Sequence, residues 1–186
     1  MARAAEGGWI AGARRVPSPN CDSRPAGAAV SLLVVHSISL PRGRYGKDAG
    51  GGAIERLFTN QLDPAEHPSF ADLAGLRVSS HFLIRRDGEL VQFVPVWARA
   101  WHAGMSRWRG RERCNDFSVG IELEGTDDGE FAKAQYEVLL NLLKRLQDLL
   151  PLRDIAGHSD VAPGRKSDPG TGFDWARLLS ALSRAT

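Results

Sequence analysis

The chain has little that would cross-link it, anchor it in a membrane or charge it with one sign. Two cysteines, Cys21 and Cys114, occur in 186 residues; that is too few for a disulfide scaffold, and both are expected as reduced, structural thiols. No stretch approaches the roughly 18 consecutive apolar residues of a membrane span. The opening residues, Met1 to Trp9, hold no apolar core ahead of a cleavage site, so a cytoplasmic location without membrane contact is expected. The 24 basic and 22 acidic residues nearly cancel, leaving +2. No long single-sign block marks a nucleic-acid partner, and a small or mixed-charge substrate fits better. Internal repeats are missing too. What remains is a chain 42% hydrophobic, enough for one globular domain with a sizeable core across residues 1–186.

Residues 1–29 are rich in Gly, Pro, Ala and Arg, and Pro17, Pro19 and Pro25 oppose regular structure, so an irregular surface wrap is expected. Residues 30–35 form a continuous β-branched and leucine run, the pattern of a strand buried on both faces, with His36 at its end. Residues 37–52 read as a loop, and 53–60 and 65–75 as short helices, the second started by Asp63-Pro64 with His67 exposed on it. Residues 80–84 and 90–94 flank Asp87-Gly88, a tight-hairpin signal. In the strand at 117–124, alternation sets Val119, Ile121 and Leu123 on one face and Glu122 and Glu124 on the other. The recurrence of Tyr136, Leu139, Leu140, Leu143, Leu146 and Leu150 predicts a helix over 132–150, stopped by Pro151. A last helix starts near Asp174, with Trp175, Leu178, Leu179 and Leu182 as its buried stripe. The fold class is therefore α/β, a central mixed sheet flanked by helices.

The chemistry concentrates in the loop 157–170, which holds His158, Lys166 and Asp168 within eleven residues. Imidazole nitrogens from His36 and His158 with an oxygen from Asp168 are acceptable to Zn2+, and three protein ligands leave a fourth position for water. Each histidine alone reads more readily as a hydrogen-bonded structural residue. Lys166, two positions before Asp168, is either an oxyanion-stabilising cation or half of a solvated ion pair. A carboxylate on a buried strand is desolvated, which raises its pKa and suits Glu122 to take a proton from an attacking water. Glu124, nearer the loop at Gly125, is assigned to hydrogen bonding at the strand end.

Gly7 and Trp9, Ala13 through Pro19, Leu33-Val34-Val35-His36, Trp101-His102-Ala103-Gly104, Gly120 through Gly125, and Gly157-His158 through Pro169-Gly170 occur in that order. In these motifs the chain resembles the AmpD-type cytoplasmic N-acetylmuramoyl-L-alanine amidases, over about residues 7–176. The resemblance implies a zinc enzyme with a mixed sheet and a surface groove. Such an enzyme cuts the bond between the lactyl group of anhydro-N-acetylmuramic acid and the L-alanine of the stem peptide in soluble muropeptides during cell-wall recycling. It further implies His36, His158 and Asp168 as ligands, Glu122 acting on the water and Lys166 on the oxyanion. Arg77 and Arg113 would pair with stem-peptide carboxylates, while Trp101 and His102 line the groove. Asp168 and Glu122 suit the recycling branch, since many phage and animal relatives carry Cys and Tyr instead. Ser37 stands where Asn is common, and Gly50-Gly51-Gly52 departs from the family, which bears on affinity. No obligate protein partner is implied, and a monomer is expected. Two competing readings are a recognition module that binds without cutting and a lysin acting on polymeric wall; intact ligands oppose the first, and the second would bring an export signal or wall-binding domain.

Overall fold

The computed structural model describes residues 5–46 and 52–183; Gly50 and Gly51 of the glycine run, and the side chain of Leu182, lie outside the described set. Six strands form the central mixed sheet: β1 (Arg14–Arg15), β2 (Leu32–Ile38), β3 (Phe82–Ile84), β4 (Leu90–Gln92), β5 (Ser118–Glu124) and β6 (Asp154–Gly157), in spatial order β6-β2-β5-β3-β4-β1. All neighbouring pairs run parallel except the β3–β4 hairpin. Helices α1 (Ala53–Phe58), α2 (Lys133–Leu149), α3 (His158–Val161) and α4 (Trp175–Ser183) accompany it.

The apolar pattern explains the layers. Val119, Ile121 and Leu123 turn one face of β5 into the main core, where they meet Leu139, Leu142, Leu143 and Leu146 of α2. Burying a stripe of this kind contributes roughly 1.5–3 kcal/mol per large side chain. Leu83, Val91 and Phe93 pack on the other side with Ile54, Leu57 and Phe58 of α1. At the hairpin, Gly88 adopts φ +91°, the left-handed backbone that its turn requires.

Several expectations need correction. β2 runs to Ile38, so His36 lies inside the strand, because pairing with β5 continues from Leu32 to Ile38. The wrap is not wholly irregular: Arg14–Arg15 is the sheet's edge strand, and two further short ribbons involve Ala5–Glu6 with Trp9–Ile10 and Cys21–Ser23 with Ala98–Ala100. Arg24 ties this region to β5, donating to the carbonyls of Asn115 and Ser118 at 3.0 and 2.9 Å. Residues 65–75 form two 3-10 turns, Pro64–Glu66 and Pro68–Leu73, since Pro68 cannot continue the first; Asp63 caps the opening turn, accepting from the Ala65 N–H at 2.9 Å. Leu179 is 55% exposed and so lies off the buried stripe of α4. Cys21 and Cys114 are both unbridged. Among the described residues, no helix is long and apolar enough to cross a membrane.

Candidate metal centre and catalytic groove

Three adjacent strands deliver the polar residues. In the parallel β2–β5 pair His36 is the register partner of Glu122, and on the other side of β2 Gly157 pairs with Val35, so His158 emerges directly after β6. A single turn of helix then forms where a loop was expected, because the Asp160 carboxylate accepts from the Gly157 N–H at 2.7 Å and holds the turn closed. A Cβ at Gly157 would lie 2.9 Å from Pro169 Cδ, so the missing side chain lets the following loop return against β6. The Ser159 N–H donates to the Asp168 carbonyl at 2.8 Å and fixes that return.

Three donor atoms converge there. His36 Nδ1 lies 3.0 Å from His158 Nδ1 and 3.2 Å from Asp168 Oδ2, and His158 Nδ1 lies 3.0 Å from the same oxygen. The two histidines are 2% and 4% exposed. Burial, more than its neighbours, pushes the His36 imidazole down to about 4, so it is neutral at pH 7 and offers a lone pair. Burial alone would push the Asp168 carboxyl up, but the close approach of His158 and His36 overcomes it and holds the group below the usual carboxylate range. A neutral imidazole at His36 and an ionised carboxylate at Asp168 are the protonation states a metal ligand needs. The donor set therefore fits a divalent ion of the zinc type, and among the described residues these three form a group able to hold one.

Glu122 is 8% exposed, and its carboxyl is pushed well above the ordinary value, by burial first and by the nearby Asp168 charge second, with Lys166 opposing. Glu124 has a different environment: Arg85 Nη1 donates to it at 2.8 Å, the Gly46 N–H at 2.9 Å and the Arg86 N–H at 3.2 Å. Its oxygens are used structurally.

A pocket of about 260 Å³ collects His36, His158, Asp168, Glu122, Lys166, Ser37, Trp101 and His102. Asp168 pairs with the two histidines rather than with Lys166, which is exposed. Leu40, Leu57, Phe58, Leu73, Leu76 and Val78 form an apolar wall that sequence reasoning missed; their spacing signals only core packing. Arg77 is exposed between Leu76 and Val78 of that wall. An adjoining cleft of about 430 Å³ shares Ser37, Ile38, Lys166 and Asp168 with the pocket, so the two form one groove. Arg113 is not in that pocket: it is ion-paired with Asp116 at 3.2 Å and lines a neighbouring hollow with Met105, Arg107 and Arg165. Arg165 also lines the groove, and so joins the two.

Residues 26–171 match the family model described as N-acetylmuramoyl-L-alanine amidase. The chain belongs to the N-acetylmuramoyl-L-alanine amidase family. It is an enzyme of that class and of the AmpD type: it is 55% identical over 183 residues to the 1,6-anhydro-N-acetylmuramyl-L-alanine amidase AmpD of Escherichia coli K12, covering 97% of this chain and 98% of that one. The crystal structure of a Se-Met AmpD derivative superposes with a TM-score of 0.90 at 54% identity, covering 95% and 97% of the two chains. A more distant amidase, AmiD from E. coli, solved with anhydro-N-acetylmuramic acid-L-Ala-D-gamma-Glu-L-Lys, gives a TM-score of 0.59 at 30% identity and covers 86% of this chain and 61% of that one.

Proposed function

We propose that this amidase is zinc-dependent and hydrolyses the amide between the lactyl group of (1,6-anhydro-)N-acetylmuramic acid and the L-alanine of the stem peptide. Its substrates are soluble muropeptides, its role is peptidoglycan recycling in the cytoplasm, and one domain carries the activity; likeness to AmpD supports these points. The observation that carries the chemistry is the convergence of His36 Nδ1, His158 Nδ1 and Asp168 Oδ2 beside the buried Glu122.

A zinc ion held by His36, His158 and Asp168 would supply a Lewis acid that lowers the pKa of water and polarises the scissile carbonyl. Glu122, desolvated on β5, accepts the proton of the attacking water and later returns it to the leaving amine of L-alanine. Lys166, at the divide between pocket and cleft, neutralises the oxyanion of the tetrahedral intermediate. Trp101 and the apolar wall exclude water from one side. Ser37 presents a hydroxyl to the groove where a longer amide is the family habit. Arg77 and Arg113 pair with stem-peptide carboxylates, which requires a peptide long enough to pass Arg165 into the neighbouring hollow.

Mass spectrometry of anhydromuramyl-tripeptide, incubated with zinc-loaded protein, chelated protein and His158→Ala, tests the proposal. Free tripeptide released by the loaded protein alone is the expected result. Tight binding without cleavage would favour a recognition module, and neither binding nor cleavage would sink the assignment.

A further inference from the structure

The residues behind the two histidines form a connected set that the chemistry above does not use. The carbonyl of Cys114 can only accept, and it lies 2.6 Å from Ser118 Oγ, so the Ser118 hydroxyl donates to it. That leaves the Ser118 oxygen as an acceptor for His102 Nε2, 3.1 Å away, and places the His102 proton on Nε2. His102 Nδ1 is then a bare lone pair, 2.9 Å from His36 Nε2, which must therefore carry hydrogen. His36 Nδ1 is left unprotonated and turned toward His158 and Asp168. His158 is held in the same way one residue further on, since its Nε2 lies 3.3 Å from the Ala103 carbonyl, another obligate acceptor.

We infer that the dipeptide His102-Ala103 orients both metal-binding histidines, His36 through the His102 ring and His158 through the Ala103 carbonyl, and that Ser118 and Asn115 hold the dipeptide in place. Asn115 Oδ1 accepts from the N–H groups of His102 and Ala103 at 3.2 and 2.8 Å. Gly120, on the same face of β5 as Ser118, makes room: a Cβ there would lie 2.6–2.9 Å from three atoms of the His102 ring. His102 is thus a positioning residue, in addition to lining the pocket, and it fixes the tautomer that leaves three bare acceptors facing one centre. Such an arrangement repels itself unless a cation sits among them, and partners of this kind typically tune metal affinity 10–100-fold.

The inference rests on the zinc reading, and its test separates the two. Zinc affinity is measured by competition with a chromogenic chelator for the wild type, Ser118→Ala, His102→Phe and Val119→Ala. Val119 is buried on the opposite face of the same strand and serves as the control for a purely structural loss. Imidazole 15N spectra of the metal-free wild type and Ser118→Ala report which nitrogen of His36 carries hydrogen. The expected result is a roughly 10–100-fold weaker affinity for Ser118→Ala and His102→Phe, an unchanged Val119→Ala, and a single Nε2-protonated His36 in the wild type that becomes mixed in Ser118→Ala. Should His102→Phe fail to fold, Ser118→Ala alone decides, since it removes one oxygen. Wild-type affinity in the Ser118 variant, or an equal loss in Val119→Ala, overturns the inference. A wild type that binds no zinc overturns instead the reading on which it rests.

Discussion

Arg85 is the most informative residue to remove for stability. Its side chain is 3% exposed and reaches Glu124, itself 2% exposed, at 2.8 Å and Glu55 at 2.7 Å, with Glu89 at ion-pair distance, 3.3 Å. Among the described residues, the Glu124 carboxylate in Arg85→Met keeps only the N–H groups of Gly46 and Arg86. Stranding one partner of a buried pair costs about 3–5 kcal/mol. At roughly 2–4 °C per kcal/mol for a domain of this size, Tm falls by about 6–20 °C. Glu124→Gln in the same background removes the stranded charge and should recover about half of the loss, because the penalty is desolvation rather than lost attraction. Calorimetry at pH 7 on the two single variants and the double variant reads the cycle. A Tm drop under about 2 °C for Arg85→Met, or a double variant no better than the sum of the singles, would refute the reasoning. Neither Arg85 nor Glu124 lines the pocket, so zinc affinity should hardly change.

Other expectations concern the site and its supports. Glu122→Gln should keep zinc while lowering kcat by about 10²–10⁴, the usual worth of a positioned general base, checked by metal content beside turnover. Glu55 is held below the ordinary carboxylate value: burial raises it, but hydrogen bonds from Arg14 and Arg85 more than offset that. A depressed folded pKa stabilises above the unfolded value and is lost as pH falls through the folded one. Glu55→Gln should thus destabilise at pH 7, with the gap to wild type closing below about pH 4; a gap that stays constant to pH 3 contradicts this. Gly170 has φ +89°, and a Cβ there would lie 1.8 Å from the Asp127 carbonyl oxygen, a backbone atom that already accepts from the Thr171 N–H at 3.1 Å. Gly170→Ala should displace the loop carrying Lys166 and Asp168 and abolish turnover, whereas Gly164→Ala, at φ +74° in open space, should cost only about 1–2 kcal/mol in thermal unfolding.

How much of this was legible in the sequence depends on where the information sits. The alternation in β5 and the leucine spacing of α2 are local, and both elements lie where the pattern puts them, within a residue or two. β6 is four residues, Asp-Ile-Ala-Gly, with no period to read; it is a strand because it pairs with β2. β1 consists of two arginines, and only its pairing with Val91 and Gln92 makes it a strand. At the site, His36, His158 and Asp168 could be proposed from chemistry, yet nothing local says that 122 residues of separation close to 3.0 Å. Asn115 and Ser118 escaped notice for a related reason. Their roles are set by which carbonyl or ring nitrogen the fold brings to them, not by a motif.

The site-facing positions of β5 show how tightly the chemistry is tied to the sheet. Ser118, Gly120, Glu122 and Glu124 follow one another at two-residue spacing on one face. The first reaches the His102 ring, the second yields space to it, the third faces the pocket, and the fourth is held by Arg85. Since His36 is the cross-strand partner of Glu122, the proposed base and the proposed ligand are separated by one strand spacing that no loop movement can alter. A one-residue slip of β5 would turn the side chains of Ser118, Glu122 and Glu124 into the apolar core and carry Ile121 and Leu123 to the pocket. The register that keeps α2 packed is therefore the register that assembles the site. By contrast, the apolar wall lies outside the sheet, half of it from α1 and the second 3-10 turn, so that wall can vary without disturbing the assembly.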